Sequence, residues 1–218
     1  MMPNQSPSDM PEKKEAQPRT DKSVNVSCAA ICEEKIRLEA LLGNLQAKFE
    51  ALGSKIAQEM VPDALQNIER WLTSPTYARA RDSIYYMIEQ GRFDELFDSF
   101  CMPLKFGTGG RRGLIGIGPN RLNPWTIQES VKGHVEWMIR EYGPETVRAH
   151  GVVGVGDVRC YPGHQEKPGW GEFPPGNPLE NLSSLEIEKI AAQVYAAHGI
   201  PVFLMGNPRS TPELSILT

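Results

Sequence analysis

The sequence has little of what marks membrane, nucleic-acid-binding or secreted proteins. No apolar run approaches the roughly 20 residues that cross a bilayer, and the first residues contain no apolar stretch of a signal peptide. The formal net charge is −4, with 23 basic against 27 acidic residues, which leaves no strongly basic face for nucleic acid. We therefore expect a cytoplasmic protein that binds neither membranes nor nucleic acids.

Cysteine is also scarce. The four cysteines are Cys28, Cys32, Cys101 and Cys160, and no two of them form a Cys-x-x-Cys pair. Cys28 and Cys32 would share one helix face, but no second pair of cysteines or histidines stands at zinc-site spacing. We expect no metal site from these residues, and a reducing compartment.

The composition is that of an ordinary globular protein. Its 218 residues are 40% hydrophobic and 23% charged, enough for one core and an accessory segment. Residues 1–24 are polar and contain proline, so we expect a disordered tail. Residues 25–100 are predicted to form a helical N-terminal segment, and residues 101–218 an α/β domain.

A short heptad pattern marks the first helix, predicted over 29–60. Its apolar residues alternate at spacings of four and three: Leu38, Leu42, Leu45, Phe49, Leu52 and Ile56. Such a seam could pair with a second chain or pack within its own chain. Gly43 and Gly53 weaken a coiled coil, so packing within the chain is the favoured interpretation.

Apolar spacing predicts the remaining elements. Helices are expected over 64–73, 78–90, 92–100, 126–142 and 185–198, the fourth of them capped by Thr126. Valine-rich runs at 151–156 and 201–205 predict buried strands. Strand, helix and strand in that order predict a right-handed βαβ unit. Between them lies a long loop at 162–184, rich in glycine and proline, of the kind that is functional or disordered.

Residues 104–113 combine four glycines with two adjacent arginines. Glycine allows a backbone to approach a ligand closely, and the guanidinium groups of Arg111 and Arg112 match the oxygens of a phosphate. This pattern predicts a loop that holds an anion. The alternative is a glycine-rich turn with two solvated arginines.

A second candidate site follows the first predicted strand. Asp157 and Arg159 stand directly after the run at 151–156. In open α/β sheets, ligands bind at the carboxyl ends of strands, so this pair is a candidate for binding. The alternative is a surface salt bridge.

The last residues begin another element. Thr211, Pro212 and Glu213 are typical of a helix start, yet only residues 214–218 follow them. We therefore expect a domain that is truncated at its C-terminal side.

Four motifs in this order resemble the N-terminal part of the α-D-phosphohexomutases, in the branch of phosphoglucomutases and phosphomannomutases. They are Phe-Gly-Thr-Gly-Gly-Arg-Arg-Gly at 106–113, Gly-Pro-Asn-Arg-Leu-Asn at 118–123, Asp-Val-Arg at 157–159 and Thr-Pro-Glu-Leu-Ser at 211–215. The resemblance covers about residues 62–218. It implies that 101–218 form an incomplete first domain, a three-layer α/β/α sandwich.

The resemblance also implies a chemistry. Phosphohexomutases move a phosphate between C1 and C6 of a hexose through a phosphoserine and a magnesium ion. By position, Thr108, Gly109, Arg112 and Arg159 would bind the phosphate of the hexose phosphate. Arg111 departs from the family pattern, where an apolar residue is usual, and the loop after Arg159 is longer than in the family.

The family's catalytic loop, Thr-(Ala/Gly)-Ser-His-Asn-Pro, does not occur in this sequence, nor do the family's magnesium ligands. The chain is therefore expected to have no catalytic residue of its own, with Mg²⁺ required only by a full-length family member. An alternative function is a non-catalytic interaction module that self-associates through the helix at 29–60.

Overall fold

The computed structural model describes residues 28–108, 110–161, 170–210 and 212–214. The chain divides into two compact units, Met1–Ile36 and Arg37–Thr218, and all packing described below lies within the second. The tail predicted at 1–24 lies outside the described residues.

The described chain is rich in helix and carries two small sheets. Its α-helices are α1 (Cys28–Ala51), α2 (Val61–Thr73), α3 (Arg81–Glu89), α4 (Phe93–Phe100), α5 (Pro124–Tyr142), α6 (Pro144–His150) and α7 (Ser184–Ala197). Short 3₁₀ helices span Gly53–Lys55, Gln58–Met60 and Pro75–Ala80. The strands are β1 (Phe106–Gly107), β2 (Gly110–Arg111), β3 (Val152–Gly154) and β4 (Val202–Leu204).

The two sheets have two strands each. Strands β1 and β2 pair antiparallel, and β3 and β4 pair parallel. An α/β protein is therefore consistent with the structure, whereas the three-layer sandwich stays a prediction.

The heptad seam of α1 packs within the chain. Leu45 and Phe49 are buried in the main core, and the Phe49 ring meets the edge of Phe97 with centroids 5.5 Å apart. The favoured interpretation of the seam is thus confirmed. The predicted end of the helix at residue 60 is wrong: α1 stops at Ala51, and Gly53 follows with a φ of +56° that favours glycine.

Trp71 lies at the centre of the helical core. Its ring stacks on Tyr77 at 4.2 Å and meets the edges of Phe100 and Trp125 at 5.5 and 5.3 Å. Because Trp125 is the second residue of α5, this cluster fixes the start of α5 against the helices of the first half of the chain.

A smaller core joins α5 to the parallel strands. Its buried residues are Val135, Met138, Val147 and Ile200. Val152 pairs with Val202 and Gly154 with Leu204, so the predicted strand–helix–strand unit has the parallel pairing expected of it.

The prediction that these strands are buried is wrong. The residues of β3 are half-buried, while Phe203 and Leu204 of β4 are 58% and 42% exposed. A parallel strand is fully buried only where layers cover both faces and neighbours cover both edges. A sheet of only two strands does not meet that condition.

The start of α5 also differs from the prediction. Asn123, not Thr126, is the N-cap residue: its Oδ1 accepts the Thr126 N–H at 3.0 Å, and the Thr126 hydroxyl accepts the Asn123 N–H at 3.1 Å. This reciprocal pair is a capping box. The helix therefore starts two residues earlier than predicted.

Part of the long loop packs on the core. Leu179 and Leu182 are buried, and the Tyr161 N–H donates to the Leu182 carbonyl at 3.0 Å. Residues 162–169 of this loop lie outside the described part. Among the helices that the structure describes, none has the length and apolar character needed to cross a membrane.

Candidate functional site

The glycine–arginine segment folds as a short β-hairpin. Phe106 pairs with Arg111 and Gly107 with Gly110, whose φ is +116°. After the hairpin, a Cβ at Gly113 would lie 2.5 Å from the Cδ1 atom of Leu104. Backbone shape therefore favours glycine at 110, and a side chain at 113 would have to displace that of Leu104.

The two arginines of the hairpin have different surroundings. The guanidinium of Arg111 lies over the Phe106 ring, 5.2 Å from its centroid, and Nη1 donates to the Thr126 carbonyl at 3.1 Å. Arg111 thus ties the hairpin to the first turn of α5. This contact gives a structural reason for the residue that departs from the family pattern.

Arg112 is exposed and makes no hydrogen bond or ion pair with any other residue that the structure describes. Thr108, at the tip of the hairpin, is also exposed. Gly109 lies outside the described residues. The guanidinium of Arg112, which follows β2 at the base of the hairpin, is therefore presented to solvent.

The turn at 118–123 supports the hairpin. The Leu104 N–H donates to the Pro119 carbonyl at 2.8 Å, and Asn123 Nδ2 donates to the Gly116 and Gly118 carbonyls at 3.0 and 2.8 Å. A Cβ at Gly118 would lie 2.4 Å from the backbone oxygen of Ser99, at the end of α4. This second motif is therefore a packed joint between α4 and α5.

Arg121, within the same turn, is a structural arginine. It is buried, and its Nη2 pairs with Asp98 Oδ2 at 2.5 Å. Its guanidinium also lies 5.6 Å from the ring centroid of Trp170. A side chain with these contacts braces the turn rather than meeting a ligand.

The candidate at the end of β3 is built around Asp157. Its Oδ1 accepts the Ser184 hydroxyl and, at 3.0 Å, the backbone N–H of Arg159, while Oδ2 accepts Arg159 Nε at 2.6 Å. The Ser184 hydroxyl is the largest cause that lowers the pKa of Asp157, followed by the Arg159 N–H. The predicted alternative, a salt bridge between Asp157 and Arg159, is present, and it leaves the Arg159 side chain 69% exposed.

This network predicts acid sensitivity. Because the pKa of Asp157 is lower in the folded chain than in the unfolded one, its ionised form stabilises the fold above its unfolded pKa. That stabilisation is lost as pH falls through the folded pKa. We expect Asp157→Asn to lower the urea midpoint at about pH 6, and the difference to shrink as the pH falls below the ordinary aspartate pKa of about 3.9. A midpoint difference that stays constant with pH would contradict this.

The two candidate sites, the hairpin and the Asp157 network, are bonded to the N-terminal ends of different helices. The hairpin bonds to α5 through Arg111, and the Asp157 network bonds to α7 through Ser184. Among the described residues, no hydrogen bond or ion pair joins Arg112 to Arg159.

Sequence reasoning missed Arg209, whose N–H donates to the Gly156 carbonyl at 2.9 Å. Its position after β4, which runs parallel to β3, was the available signal. Thr211 lies outside the described residues.

The described residues contain no group of three or more histidine, cysteine, aspartate or glutamate side chains placed to hold a metal ion. They therefore do not fit the magnesium that the family resemblance implies, and no part of the chemistry is assigned to a metal here.

Several curated proteins are similar to this chain. Human phosphopentomutase is 24% identical over 147 residues, which are 67% of this chain and 21% of that protein. A phosphoglucomutase of Staphylococcus aureus strain bovine RF122 is 32% identical over 138 residues, 63% of this chain and 20% of that protein. Mouse glucose 1,6-bisphosphate synthase is 28% identical over 145 residues, 66% of this chain and 20% of that protein.

The chain spans about a fifth of the length of these relatives. No family model matches it, and no solved structure gives a significant match. The relatives named above all belong to the phosphohexomutase superfamily. About two thirds of this chain is therefore similar to a segment of these phosphohexomutases, and the resemblance that its motifs predicted is confirmed.

Proposed function

We propose that this chain carries phosphate-binding residues of a phosphohexomutase, an intramolecular phosphotransferase that moves phosphate between two oxygens of one sugar. The proposed ligand is a sugar phosphate, with hexose 1-phosphate as the first candidate. The relatives carry names that refer to pentose and to glucose substrates. We therefore expect the phosphate, rather than the sugar ring, to be what these residues hold.

The single observation that carries this proposal is the difference between Arg111 and Arg112. One arginine is used to hold the hairpin in place, and its neighbour is left exposed without a described partner. Phosphoryl transfer depends mostly on positioning and on charge neutralisation, which a fixed loop with a free guanidinium can supply.

Under the same proposal, the phosphoserine and the magnesium ligands of the reaction are not residues of this chain. The family's Ser-His-Asn-Pro motif is absent from the sequence, and the described residues contain no magnesium cluster. Within the proposal, residues 101–218 correspond to the first α/β/α domain of such an enzyme and residues 25–100 to a helical extension. The 218-residue chain alone would bind sugar phosphate without converting it.

The proposal predicts that Arg112→Gln weakens the binding of glucose 1-phosphate by about tenfold, since a charge-assisted contact to phosphate is lost. Affinity can be measured by following backbone amide shifts while glucose 1-phosphate is added. The fold should be unaffected, because Arg112 is exposed and makes no described contact.

Arg140→Gln is the matched control, because Arg140 is exposed on the last turn of α5 and changes the net charge equally. Equal affinities of the Arg112 and Arg140 variants would contradict the proposal. A coupled mutase assay on the same protein should show no turnover. Turnover above background would overturn the assignment of the reacting groups to other residues.

A further inference from the structure

The segments that follow the two parallel strands remain side by side. The Met205 N–H approaches the Gly154 carbonyl at 3.4 Å, and the Arg209 N–H donates to the Gly156 carbonyl at 2.9 Å. Residue 209 therefore lies next to the segment 156–159, although 50 positions of sequence separate Arg209 from Arg159. Two arginines emerge at the same end of the β3–β4 pair.

Arg159 is held by one edge of its guanidinium. The Arg159 Nε–H donates to Asp157 Oδ2, and the Arg159 backbone N–H donates to Asp157 Oδ1. The carboxylate therefore holds both the backbone and the guanidinium of Arg159. The terminal groups Nη1 and Nη2 make no hydrogen bond to any residue that the structure describes, and the side chain is 69% exposed. A guanidinium anchored through Nε presents its two terminal amino groups as a fork, which suits two oxygens of a phosphate.

Arg209 is the second arginine at this end of the strand pair. Its side chain is exposed and makes no hydrogen bond or ion pair with another residue in the part of the chain that the structure describes. Two of the nearby carboxylates have donors: Asp157 accepts from Ser184 and Arg159, and Glu213 accepts the Ser210 N–H at 3.1 Å. A third, Glu188, lies beside Gly154 and has a buried Oε1 without a hydrogen-bond partner among the described residues. Two arginines with unused guanidinium donors therefore follow the carboxyl ends of β3 and β4.

We propose that Arg209 and Arg159 together bind the phosphate of a phosphomonoester at the carboxyl ends of β3 and β4, and that Asp157 and Ser184 are positioning residues for Arg159. The choice of a sugar phosphate as ligand rests on the proposed function. The convergence of the two arginines rests on the backbone hydrogen bond between residues 209 and 156.

The first test compares Arg209→Gln with the Arg140→Gln control. Glucose 1-phosphate and inorganic phosphate are each titrated into the full chain, and the amide shifts of residues 156–159 are followed. We expect Arg209→Gln to weaken both affinities by about tenfold, because phosphate loses one of two arginines. Unchanged affinity, or equal loss in the control, would overturn the proposal.

The second test addresses the positioning residues. In Ser184→Ala, Asp157 loses the hydroxyl that contributes most to its lowered pKa, so binding should fail at a higher pH on acidification than in the native chain. The Arg159 Nε–H resonance should also shift, since the carboxylate that accepts from it loses one of its donors. Ser184→Thr, which keeps the hydroxyl, should restore both readouts. A pH profile unchanged in Ser184→Ala would overturn the positioning role.

The variants separate this inference from the proposed function. Loss of binding in Arg112→Gln with native binding in Arg209→Gln refutes the inference and leaves the proposed function standing. The reverse result supports an anion site at the strand ends and refutes the role given to the hairpin. Loss in both variants supports both.

Discussion

Replacing Asn123 with alanine is expected to lower the free energy of unfolding by about 3–5 kcal/mol, since it removes a helix cap and orphans buried carbonyl groups. Asn123 is completely buried. Its Oδ1 caps α5 through the Thr126 N–H, while Nδ2 donates to the Gly116 and Gly118 carbonyls. Urea unfolding followed by circular dichroism measures the loss.

Two further variants divide this effect into its parts. Asn123→Ser keeps an oxygen that can cap the helix but has no second donor group, so its stability should lie between those of the native chain and Asn123→Ala. Asn44→Ala is the matched control, because Asn44 is exposed within α1 and alanine is the better helix former. Equal unfolding energies for the two alanine variants would contradict the role of Asn123.

Loss of the Asn123 side chain should also affect the candidate site, because the turn that Asn123 stabilises is hydrogen-bonded to the segment that leads into the hairpin. Leu104 bonds to Pro119 within that turn, and Arg111 bonds to Thr126 in the helix that it starts. A chain with this joint loosened should therefore hold Arg112 less firmly, and the affinity for glucose 1-phosphate should fall together with stability.

The helices were predictable because their apolar residues repeat at helical spacing over short distances in sequence. Ile68 and Trp71 on α2, and Leu96 and Phe100 on α4, are buried as their spacing indicates. The parallel pairing of β3 and β4 also followed from local order. The depth of burial of β4 did not, because it depends on how many strands and layers cover it.

The features of the candidate site that sequence did not predict are long-range contacts. The Arg111 side chain bonds 15 residues away, and the Arg209 backbone bonds to Gly156 across a whole helix and strand. Adjacent arginines look alike in a sequence, so only packing distinguishes the one that braces the hairpin from the one that is free. Asn123 and Thr126 are both good cap residues, and the turn before them decides between them.

Replacing Glu95 with alanine is expected to destabilise the chain by about 3–5 kcal/mol, because it leaves a charge without its partner in the interior. Glu95 is 2% exposed. Its Oε2 accepts Arg92 Nε at 2.6 Å, and Oε1 accepts the Gly171 N–H at 2.9 Å. Arg92 also donates to the Glu172 carbonyl at 2.5 Å and lies over the Tyr86 and Phe173 rings.

Glu89→Ala is the matched control for this pair, because Glu89 is exposed at the end of α3. Its unfolding energy should stay within about 0.5 kcal/mol of the native value. An equal loss of unfolding free energy in the two variants would show that the buried ion pair contributes no more to stability than an exposed glutamate.

The double variant Glu95→Leu with Arg92→Met separates two effects of Glu95→Ala: the uncompensated charge of Arg92 and the lost hydrogen bond to the Gly171 amide. If the loss in Glu95→Ala comes from an uncompensated arginine, removal of both charges should recover most of the stability. Hydrogen exchange at the Gly171 amide gives a local readout, because that amide loses its acceptor in either variant. We therefore expect global stability to return in the double variant while Gly171 exchanges faster than in the native chain. Such a result would show that the ion pair fastens the segment 170–173 onto α4, a task that apolar packing at the same positions does not perform.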